Sequence, residues 1–336
     1  MQMKEIKTSF INEQKLPLVI EPNFPNPSLD DLIKIIKEKN SFFKENMLKY
    51  GGLLFRGFPI NKPEEFSKVI RALDTGEFVD YIGGGAPRDK VKDSVYTSTE
   101  APPAIKIQLH NEMSFADNYP SHIFFFCETP PEEGGETLIG DAREILKSVR
   151  KETKERFEKK GLKYVSRYYH KSALMDLVNK FQRGHKTWID VFETDKKEEV
   201  EKRCKENNIG CKWNVNDWLE ISRLRPAFLE HPQTKDKVWF NQVHLFDYNP
   251  RFLGWWRYLA MRAFYCRKHM LVDEIFYADD QKISRDDIYH IHDVLDKHSI
   301  YFPWKKGDVM ALDNILTMHG RAPFKGKRKI LTAMTN

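Results

Sequence analysis

The sequence predicts a mainly β protein with surrounding helices, arranged as a double-stranded β-helix, or jelly roll. Two observations favour this fold class. Many short segments of strand length follow one another, separated by turns rich in Gly, Pro and Asp. Candidate metal ligands stand near residue 110 and again at residue 319. The two sheets of a jelly roll bring an early and a late strand together around one pocket.

Length and composition are those of a soluble globular protein, with 336 residues, 40% hydrophobic and 31% charged. We expect a single domain over residues 1–336, with a polar, partly helical insertion at about 170–225. The net charge of +6 is spread over segments where Lys and Glu alternate, such as 147–160. Such segments indicate solvated helix faces rather than a nucleic-acid surface.

Features of targeting and redox chemistry are few. The four cysteines form no C-x-x-C pair and no regular framework, so disulfides are not expected. Residues 1–10 are polar and lack the apolar region of a signal peptide. Because the sequence contains no run of about 18 apolar residues, we expect no membrane span. The predicted location is the cytoplasm.

The N-terminal part alternates strands and helices. A short strand is predicted at 18–20, and apolar residues at helical spacing predict a helix over 29–49. Gly51 and the glycine after it end this helix. An apolar strand at 53–58 and a second amphipathic helix at 63–73 follow.

The middle of the chain carries strands and glycine-rich turns. Residues 83–87 read as a flexible loop and a candidate lid over substrate. A strand at 105–110 leads into His-x-Glu, and the apolar run 123–127 predicts a strand buried on both faces. Gly134 and Gly135 permit a close backbone approach next to the following strand.

The C-terminal part begins with two predicted strands within 227–245. An aromatic helix follows within 250–271, and helical spacing favours a core position for Trp255, Trp256 and Tyr258. The last predicted elements are a helix at 283–298, a strand at 309–312 and a strand at 328–333.

His110, Glu112 and His319 form the candidate metal site. Side chains at i and i+2 of a strand share a face, so His110 and Glu112 are able to offer a nitrogen and an oxygen to one ion. Two histidines and one carboxylate make the facial arrangement that leaves positions open on iron(II). The spacing alone is weak, because an exposed pair and an unrelated loop histidine give the same pattern.

Further motifs follow the first in a characteristic order. They are Gly-Gly-Glu-Thr at 134–137, Gly-Asp at 307–308, Asp-Asn at 313–314 and His-Gly-Arg-x-Pro-Phe-x-Gly-x-Arg at 319–328. Together they resemble the taurine-dioxygenase and clavaminate-synthase type of iron(II)/2-oxoglutarate oxygenase. Residues 110–114, 124–127 and 238–246 are similar to the branch from nonribosomal-peptide clusters, which includes syringomycin-type aspartyl β-hydroxylases.

The resemblance implies a role for individual residues. His110, Glu112 and His319 match the iron(II) ligands, with 2-oxoglutarate and O2 as co-substrates. Arg328 matches the arginine that binds the distal carboxylate of 2-oxoglutarate, and Thr137 matches a hydroxyl that contacts the same molecule. Many members carry a second arginine four residues after the first, where this chain has Thr332. For Arg321, a structural ion pair and a site role stay open as alternatives.

The implied reaction is hydroxylation of an unactivated C–H bond, because related halogenases replace the carboxylate ligand with a small residue. The implied substrate is an amino acid, free or tethered to a carrier protein. Low-ranked candidates for substrate contact are Gln108, Asn111, Asn241 and Gln242. The alternatives are oxidation of a small organic acid or sulfonate, different metal chemistry on a jelly roll, and a degenerate, non-catalytic binding protein.

Overall fold

The computed structural model describes residues 5–79, 90–92, 94–98, 101–170, 186–214, 217–264 and 272–336. The chain divides into two compact units. The first unit comprises Met1–Ser148, Leu229–Phe240 and Leu295–Asn336, and the second comprises Val149–Phe228 and Asn241–Val294. The predicted loop at 83–87 lies outside the described residues. A single domain with an insertion at about 170–225 stays a prediction.

The first unit contains most of the strands. Those of its large sheet are β1 (Ile6–Phe10), β2 (Leu18–Pro22), β3 (Gly52–Phe55), β4 (Lys90–Lys92), β5 (Val95–Thr97), β7 (His122–Thr129), β16 (Val309–Asp313) and β19 (Lys329–Thr335). Its smaller sheets use β6 (Ile107–His110), β8 (Glu133–Gly134), β9 (Thr137–Asp141), β17 (Thr317–Arg321) and β18 (Phe324–Lys325), while β13 (Phe228–Glu230) pairs with β14 (Lys237–Trp239).

Strand order brings distant parts of the chain together. The large sheet has eight strands in the order β1-β2-β3-β16-β7-β19-β5-β4, and a three-stranded sheet has the order β6-β17-β9. The short strands β8 and β18 pair with each other. Within the three-stranded sheet, β17 lies antiparallel between β6 and β9. The early strand β6, which carries His110, and the late strand β17, which carries His319, are therefore neighbours.

Strand β7 is buried on both faces, as its apolar run predicts. Phe124 and Phe126 pack into a core with the N-terminal helices, and Ile123, Phe125 and Cys127 pack into a second core on the opposite face. The second core also contains a residue of β9, so it links the large sheet to the three-stranded sheet. Full burial of each such side chain contributes about 1.5–3 kcal/mol.

The helices of the first unit are α1 (Leu29–Glu38), α2 (Asn40–Tyr50), α3 (Pro63–Leu73) and α4 (Ala142–Ser148). Ser28 and Asp31 form the capping box that begins α1. The single helix predicted over 29–49 is wrong, because the backbone leaves helical geometry at Lys39, with φ −112° and ψ 29°. Gly51 ends α2 with φ 79°.

The second unit is built on a four-stranded sheet. Its strands are β10 (Leu162–Tyr168), β11 (Gly210–Trp213), β12 (Leu219–Arg225) and β15 (Asp273–Tyr277), in the order β11-β12-β10-β15. The remaining helices are α5 (Lys151–Lys160), α6 (Trp188–Phe192), α7 (Lys197–Glu206), α8 (Val243–Phe246), α9 (Pro250–Leu253), α10 (Trp255–Phe264) and α11 (Arg285–Lys297).

The aromatic helix α10 corrects one expectation. Trp255 and Trp256 were predicted in a core, but they are 68% and 87% exposed. Helical spacing shows which residues share a face of a helix, but it does not show whether that face packs against the rest of the protein. The sequence therefore could not decide whether the two tryptophans are buried. Among the described residues, no helix is both long and apolar enough to cross a lipid bilayer.

Candidate metal centre

The three predicted ligands come together in the first unit. His110 at the end of β6 is the direct cross-strand partner of His319 in β17, and their ring centroids are 4.5 Å apart. One potential ligand atom from each of His110, Glu112 and His319 lies within 4.8 Å of the others. Two imidazoles and one carboxylate at this separation are a donor set that fits a divalent transition metal.

The two imidazoles differ in their hydrogen bonding. Nδ1 of His110 lies 2.9 Å from the carbonyl oxygen of Gln108. Because a carbonyl only accepts, Nδ1 is the protonated nitrogen and Nε2 keeps its lone pair. Nε2 of His319 lies 3.5 Å from Oε2 of Glu112, and its buried Nδ1 has no hydrogen-bond partner among the described residues.

Glu112 reaches the cluster differently from the sequence prediction. The strand ends at His110, so the i, i+2 alternation of a strand does not place Glu112. Glu112 instead lies in a turn, and the next residue, Met113, has φ 54°. The backbone N–H of Glu112 donates to Oδ1 of Asn314 at 2.8 Å, and its carbonyl accepts from Nδ2 of Asn314 at 3.0 Å.

A cavity extends from the histidines toward Arg328. The cavity is open to solvent, and about 370 Å³ of space, open solvent included, lies between its lining residues. His110, His319, Thr137 and Arg328 supply polar groups to its lining, and Phe125 is among its apolar residues. The two histidines of the cluster and both predicted 2-oxoglutarate contacts therefore line the same space.

Arg328 brings a half-buried positive charge into this cavity. Its Nε donates to the Gly135 carbonyl at 2.9 Å, and Nη1 lies 3.3 Å from the Ser98 hydroxyl. Burial lowers the pKa of Arg328 to about 10, and the neighbouring charge of Arg321 acts in the same direction. Within the described ranges Arg328 forms no ion pair, so an anion in the cavity would compensate its charge.

Gly135 permits the close approach of Arg328. The residue has φ 69°, and a Cβ there would lie 2.9 Å from the Phe324 Cβ and 3.1 Å from the Arg328 Cδ. Any side chain would push against both neighbours in a conformation that already favours glycine. The predicted close backbone approach at this glycine pair is confirmed.

Thr137 has a partner that the sequence did not reveal. The indole N–H of Trp304 donates to Oγ1 of Thr137 at 3.1 Å, and both residues are buried. The hydroxyl accepts this bond and so keeps its own proton for another acceptor. Trp304 lies outside the recognised motifs, and only the need of a buried indole N–H for an acceptor pointed to a role.

Arg321 donates hydrogen bonds to backbone carbonyls of the segment before β6. Its guanidinium donates to the carbonyls of Ala101, Pro102 and Ile105 at 2.8 to 2.9 Å. Burial lowers its pKa. Arg321 also lines the cavity, so it ties the segment before β6 to the cavity wall.

The other motif residues are scaffolding in the same unit. Asp308 forms an ion pair with Arg56 at 2.6 Å. Asp313 accepts from Ile315 N–H at 2.9 Å and lies 3.0 Å from Nε2 of His231. Thr332, where a second arginine is absent, donates to the carbonyl of Phe124 at 3.0 Å.

Two of the four substrate candidates lie in the first unit, outside the cavity lining. Asn111 is fully buried and its Nδ2 donates to the Asn314 carbonyl at 2.7 Å. Gln108 offers its backbone carbonyl to His110, and its buried Oε1 has no hydrogen-bond partner among the described residues.

The other two candidates, Asn241 and Gln242, belong to the second unit. Nδ2 of Asn241 donates to the Ala227 carbonyl at 2.8 Å. The backbone N–H of Gln242 donates to the Tyr164 hydroxyl at 3.1 Å. A substrate contact by any of the four residues stays a prediction.

Known structures share the fold at low sequence identity. PvcB from Pseudomonas aeruginosa aligns with a TM-score of 0.54 and 14% identity, covering 99% of this chain and 91% of PvcB. The structure of AAD-2 in complex with Mn(II) and N-oxalylglycine also gives a TM-score of 0.54 and 14% identity, covering 98% and 96% of the two chains. At this identity the likeness establishes the fold.

Sequence relatives establish the family. The family model described as taurine catabolism dioxygenase TauD, TfdA family matches residues 14–335. The dapdiamide synthesis protein DdaC of Enterobacter agglomerans is 34% identical over 290 residues, 86% of this chain and 83% of DdaC. A clavaminate synthase-like protein of Arabidopsis thaliana is 29% identical over 327 residues, 95% of this chain and 93% of that protein. The chain therefore belongs to the TauD, TfdA family and is an iron(II)- and 2-oxoglutarate-dependent dioxygenase, as the resemblance predicted.

Proposed function

We propose that this dioxygenase hydroxylates an unactivated C–H bond of an amino acid or amino-acid-derived substrate, either free or tethered to a carrier protein. In this proposal His110, Glu112 and His319 hold iron(II), and Arg328 and Thr137 bind 2-oxoglutarate. One observation carries the assignment. A cavity joins the two histidines of a cluster that also contains Glu112 to the half-buried guanidinium of Arg328, which forms no ion pair in the described part of the chain.

The metal, once bound, supplies the activation of O2 coupled to decarboxylation of 2-oxoglutarate to succinate. The chain's own residues bind and orient. Arg328 offers its guanidinium to the distal carboxylate, because a planar fork of N–H groups matches two carboxylate oxygens. Thr137 donates its hydroxyl proton to the same molecule, since its oxygen already accepts from Trp304. Phe125 supplies an apolar part of the wall.

Hydroxylation is favoured because Glu112 is present. A carboxylate ligand occupies the position that related halogenases leave open for chloride. Glu112 is 4% exposed and lies beside His319, so a metal ion held by these ligands would compensate its charge in this buried place.

The substrate class rests on relatives rather than on a described pocket. The 34% identical relative is named as a protein of dapdiamide synthesis, which supports a biosynthetic role for this chain. Gln108, Asn111, Asn241 and Gln242 remain candidate substrate contacts. We further propose that the eight-stranded and three-stranded sheets form a jelly roll and that the protein acts in the cytoplasm.

The test is succinate release from 2-oxoglutarate with iron(II) and ascorbate, with and without O2. A panel of free amino acids, carrier-bound amino acids and small sulfonates serves as candidate substrates, with product mass read by mass spectrometry. We expect O2-dependent succinate that one amino-acid substrate stimulates, and a product heavier by one oxygen. Stimulation by a sulfonate alone would replace the amino-acid assignment, and iron binding without O2-dependent succinate would overturn the proposed reaction.

A further inference from the structure

We propose that Asn314 is a positioning residue for the metal centre, which holds the peptide groups of Glu112 so that its carboxylate faces the two histidines. This inference rests on the proposed function, because it takes Glu112 as a metal ligand. It adds to that function a role for a residue that touches neither metal nor substrate.

The side chain of Asn314 spans both peptide groups of Glu112. Its Oδ1 accepts from the Glu112 N–H at 2.8 Å, and its Nδ2 donates to the Glu112 carbonyl at 3.0 Å. Nδ2 also donates to the Pro120 carbonyl at 2.7 Å. The amide is fully buried, so water does not compete for these bonds. One side chain therefore fixes Glu112 on both sides of its Cα atom and ties it to the end of the same loop.

Glu112 needs such a holder because the sheet does not provide one. The ladder between β6 and β17 pairs His110 with His319, and β6 ends there. After Glu112 the backbone turns through Met113, which has φ 54°. The histidines inherit their positions from strand pairing, whereas the carboxylate depends on hydrogen bonds from a side chain 202 residues further along the chain.

Asn111 completes the arrangement in the reverse direction. Its Nδ2 donates to the backbone carbonyl of Asn314 at 2.7 Å and lies 3.4 Å from that of Ile315. Each asparagine thus holds the backbone next to the other. This contact commits the Nδ2 group of Asn111 to the backbone of the turn that carries Asn314.

The turn that carries Asn314 is itself fixed. Oδ1 of Asp313 accepts from the N–H groups of Ile315 and Leu316, both at 2.9 Å. Oδ2 of Asp313 lies 3.0 Å from Nε2 of His231, whose Nδ1 accepts from the Thr234 N–H at 3.0 Å. The Asp-Asn motif therefore combines a residue that shapes the turn with one that reaches across to the ligand segment.

A buried asparagine that only stabilises the fold should affect metal binding differently from one that positions a metal ligand. Asn241 is the matched case, because it is also fully buried and bridges two backbone groups, the Ala227 carbonyl and the Val243 N–H. It lies in the second unit, whereas the metal cluster lies in the first. Loss of either amide removes comparable hydrogen bonds, but only loss of Asn314 should change metal affinity.

The experiment measures Mn(II) binding to metal-free protein by electron paramagnetic resonance, without 2-oxoglutarate or turnover. We expect Asn314→Ala to weaken Mn(II) binding about 10- to 100-fold, the range found when a group that orients a metal ligand is removed. Asn111→Ala removes one side of the arrangement and should weaken binding about fivefold, since one hydrogen bond contributes about 1 kcal/mol. Asn241→Ala should bind Mn(II) like the wild type.

Thermal unfolding of each metal-free variant shows that the proteins compared are folded. Asn111→Ala keeps the proposal testable if Asn314→Ala does not fold. Wild-type affinity in a folded Asn314→Ala or Asn111→Ala protein would overturn the positioning role and leave the proposed function intact. An equal loss in Asn241→Ala would overturn it by showing a general effect of stability. Absence of Mn(II) binding by the wild type would overturn the ligand assignment and this inference together.

Discussion

The two ends of the cavity are held by different kinds of structure. At the metal end, His110 and His319 face each other across the strand pair of β6 and β17, and an asparagine side chain holds Glu112. At the other end, Arg328 lies just before β19, and its Nε donates to the carbonyl of Gly135, a turn residue with φ 69°. The metal end therefore depends on the pairing of strands β6 and β17, and the arginine end depends on a turn at Gly135 and its close contact with Arg328.

This difference indicates how each end should respond to substitution. Removal of a ligand changes the donor set of the metal and leaves the cavity wall in place. A change around Arg328 alters the binding of a negatively charged co-substrate and leaves the ligands in place. The two ends should therefore be separable, with metal affinity reporting on one and 2-oxoglutarate affinity on the other.

The largest effect is expected for Glu112→Ala. The substitution removes the one negative charge among the ligands, so we expect Mn(II) affinity to fall by more than about 100-fold, the upper range for groups that only orient a ligand. Hydroxylation should become undetectable by product mass spectrometry. Full activity in this variant would show that Glu112 is not a ligand.

Arg328→Met is expected to act on the co-substrate alone. Loss of a charge-assisted pair of hydrogen bonds costs about 3 kcal/mol, so the KM for 2-oxoglutarate should rise about 100-fold or more. Mn(II) affinity should stay within about twofold of the wild type, measured without co-substrate. Arg328→Lys keeps the positive charge but lacks the planar guanidinium, so its KM for 2-oxoglutarate should lie between those of the wild type and Arg328→Met. An unchanged KM in Arg328→Met would place the carboxylate elsewhere.

Gly135→Ala separates backbone strain from contact at the arginine end. A non-glycine residue at φ 69° costs about 1–2 kcal/mol, and the new Cβ would also press on Phe324 and Arg328. Gly254 has φ 77° with nothing within 4 Å of a Cβ, so Gly254→Ala is the matched control for strain alone. Urea unfolding should show a larger loss of stability for Gly135→Ala, with a raised KM for 2-oxoglutarate. An equal loss of stability in Gly135→Ala and Gly254→Ala would mean that Phe324 and Arg328 move aside for the new Cβ atom at little cost.

The smallest effect is expected for Trp304→Phe, which removes the indole N–H and keeps an aromatic ring. Loss of one hydrogen bond to Thr137 should raise the KM for 2-oxoglutarate about fivefold. In Thr137→Val the hydroxyl is already absent, so the added substitution of Trp304 should change KM little. Additive effects in the double variant would show that Trp304 acts without Thr137.

Local patterns in the sequence were sufficient for several features. The apolar run around Phe125 predicts a strand buried on both faces, because alternate side chains of one strand must both find cover. The glycine pair ahead of Thr137 predicts a close approach, because a Cβ at Gly135 has no room. His110 and His319 were identified as a pair because the motifs around them resemble those of the family, and the structure pairs the two residues across two strands.

Other features depend on tertiary contacts that no local pattern encodes. Strand β6 and its pairing with β17 both end at His110, a tertiary feature that the spacing of His-x-Glu does not encode, so the turn at Glu112 was not predicted. The roles of Asn314 and Trp304 depend on partners far away in the chain. The exposure of Trp256 depends on which elements cover α10, and helical spacing carries no such information.

The position of β19 in the large sheet has a consequence for biosynthesis. This strand, Lys329–Thr335, lies between β7 and β5, and β17 lies between β6 and β9. About 200 residues separate the end of β7 from the start of β19, which a ribosome adds in roughly 10–40 seconds. Until β16 and β19 have been added, the apolar strand β7 lacks its final neighbours at both edges, which are then open to pairing with other chains, and His110 has no His319 beside it until residue 319 is added. The ligand set His110, Glu112 and His319 is therefore complete only after residue 319 has been added and β17 has paired with β6.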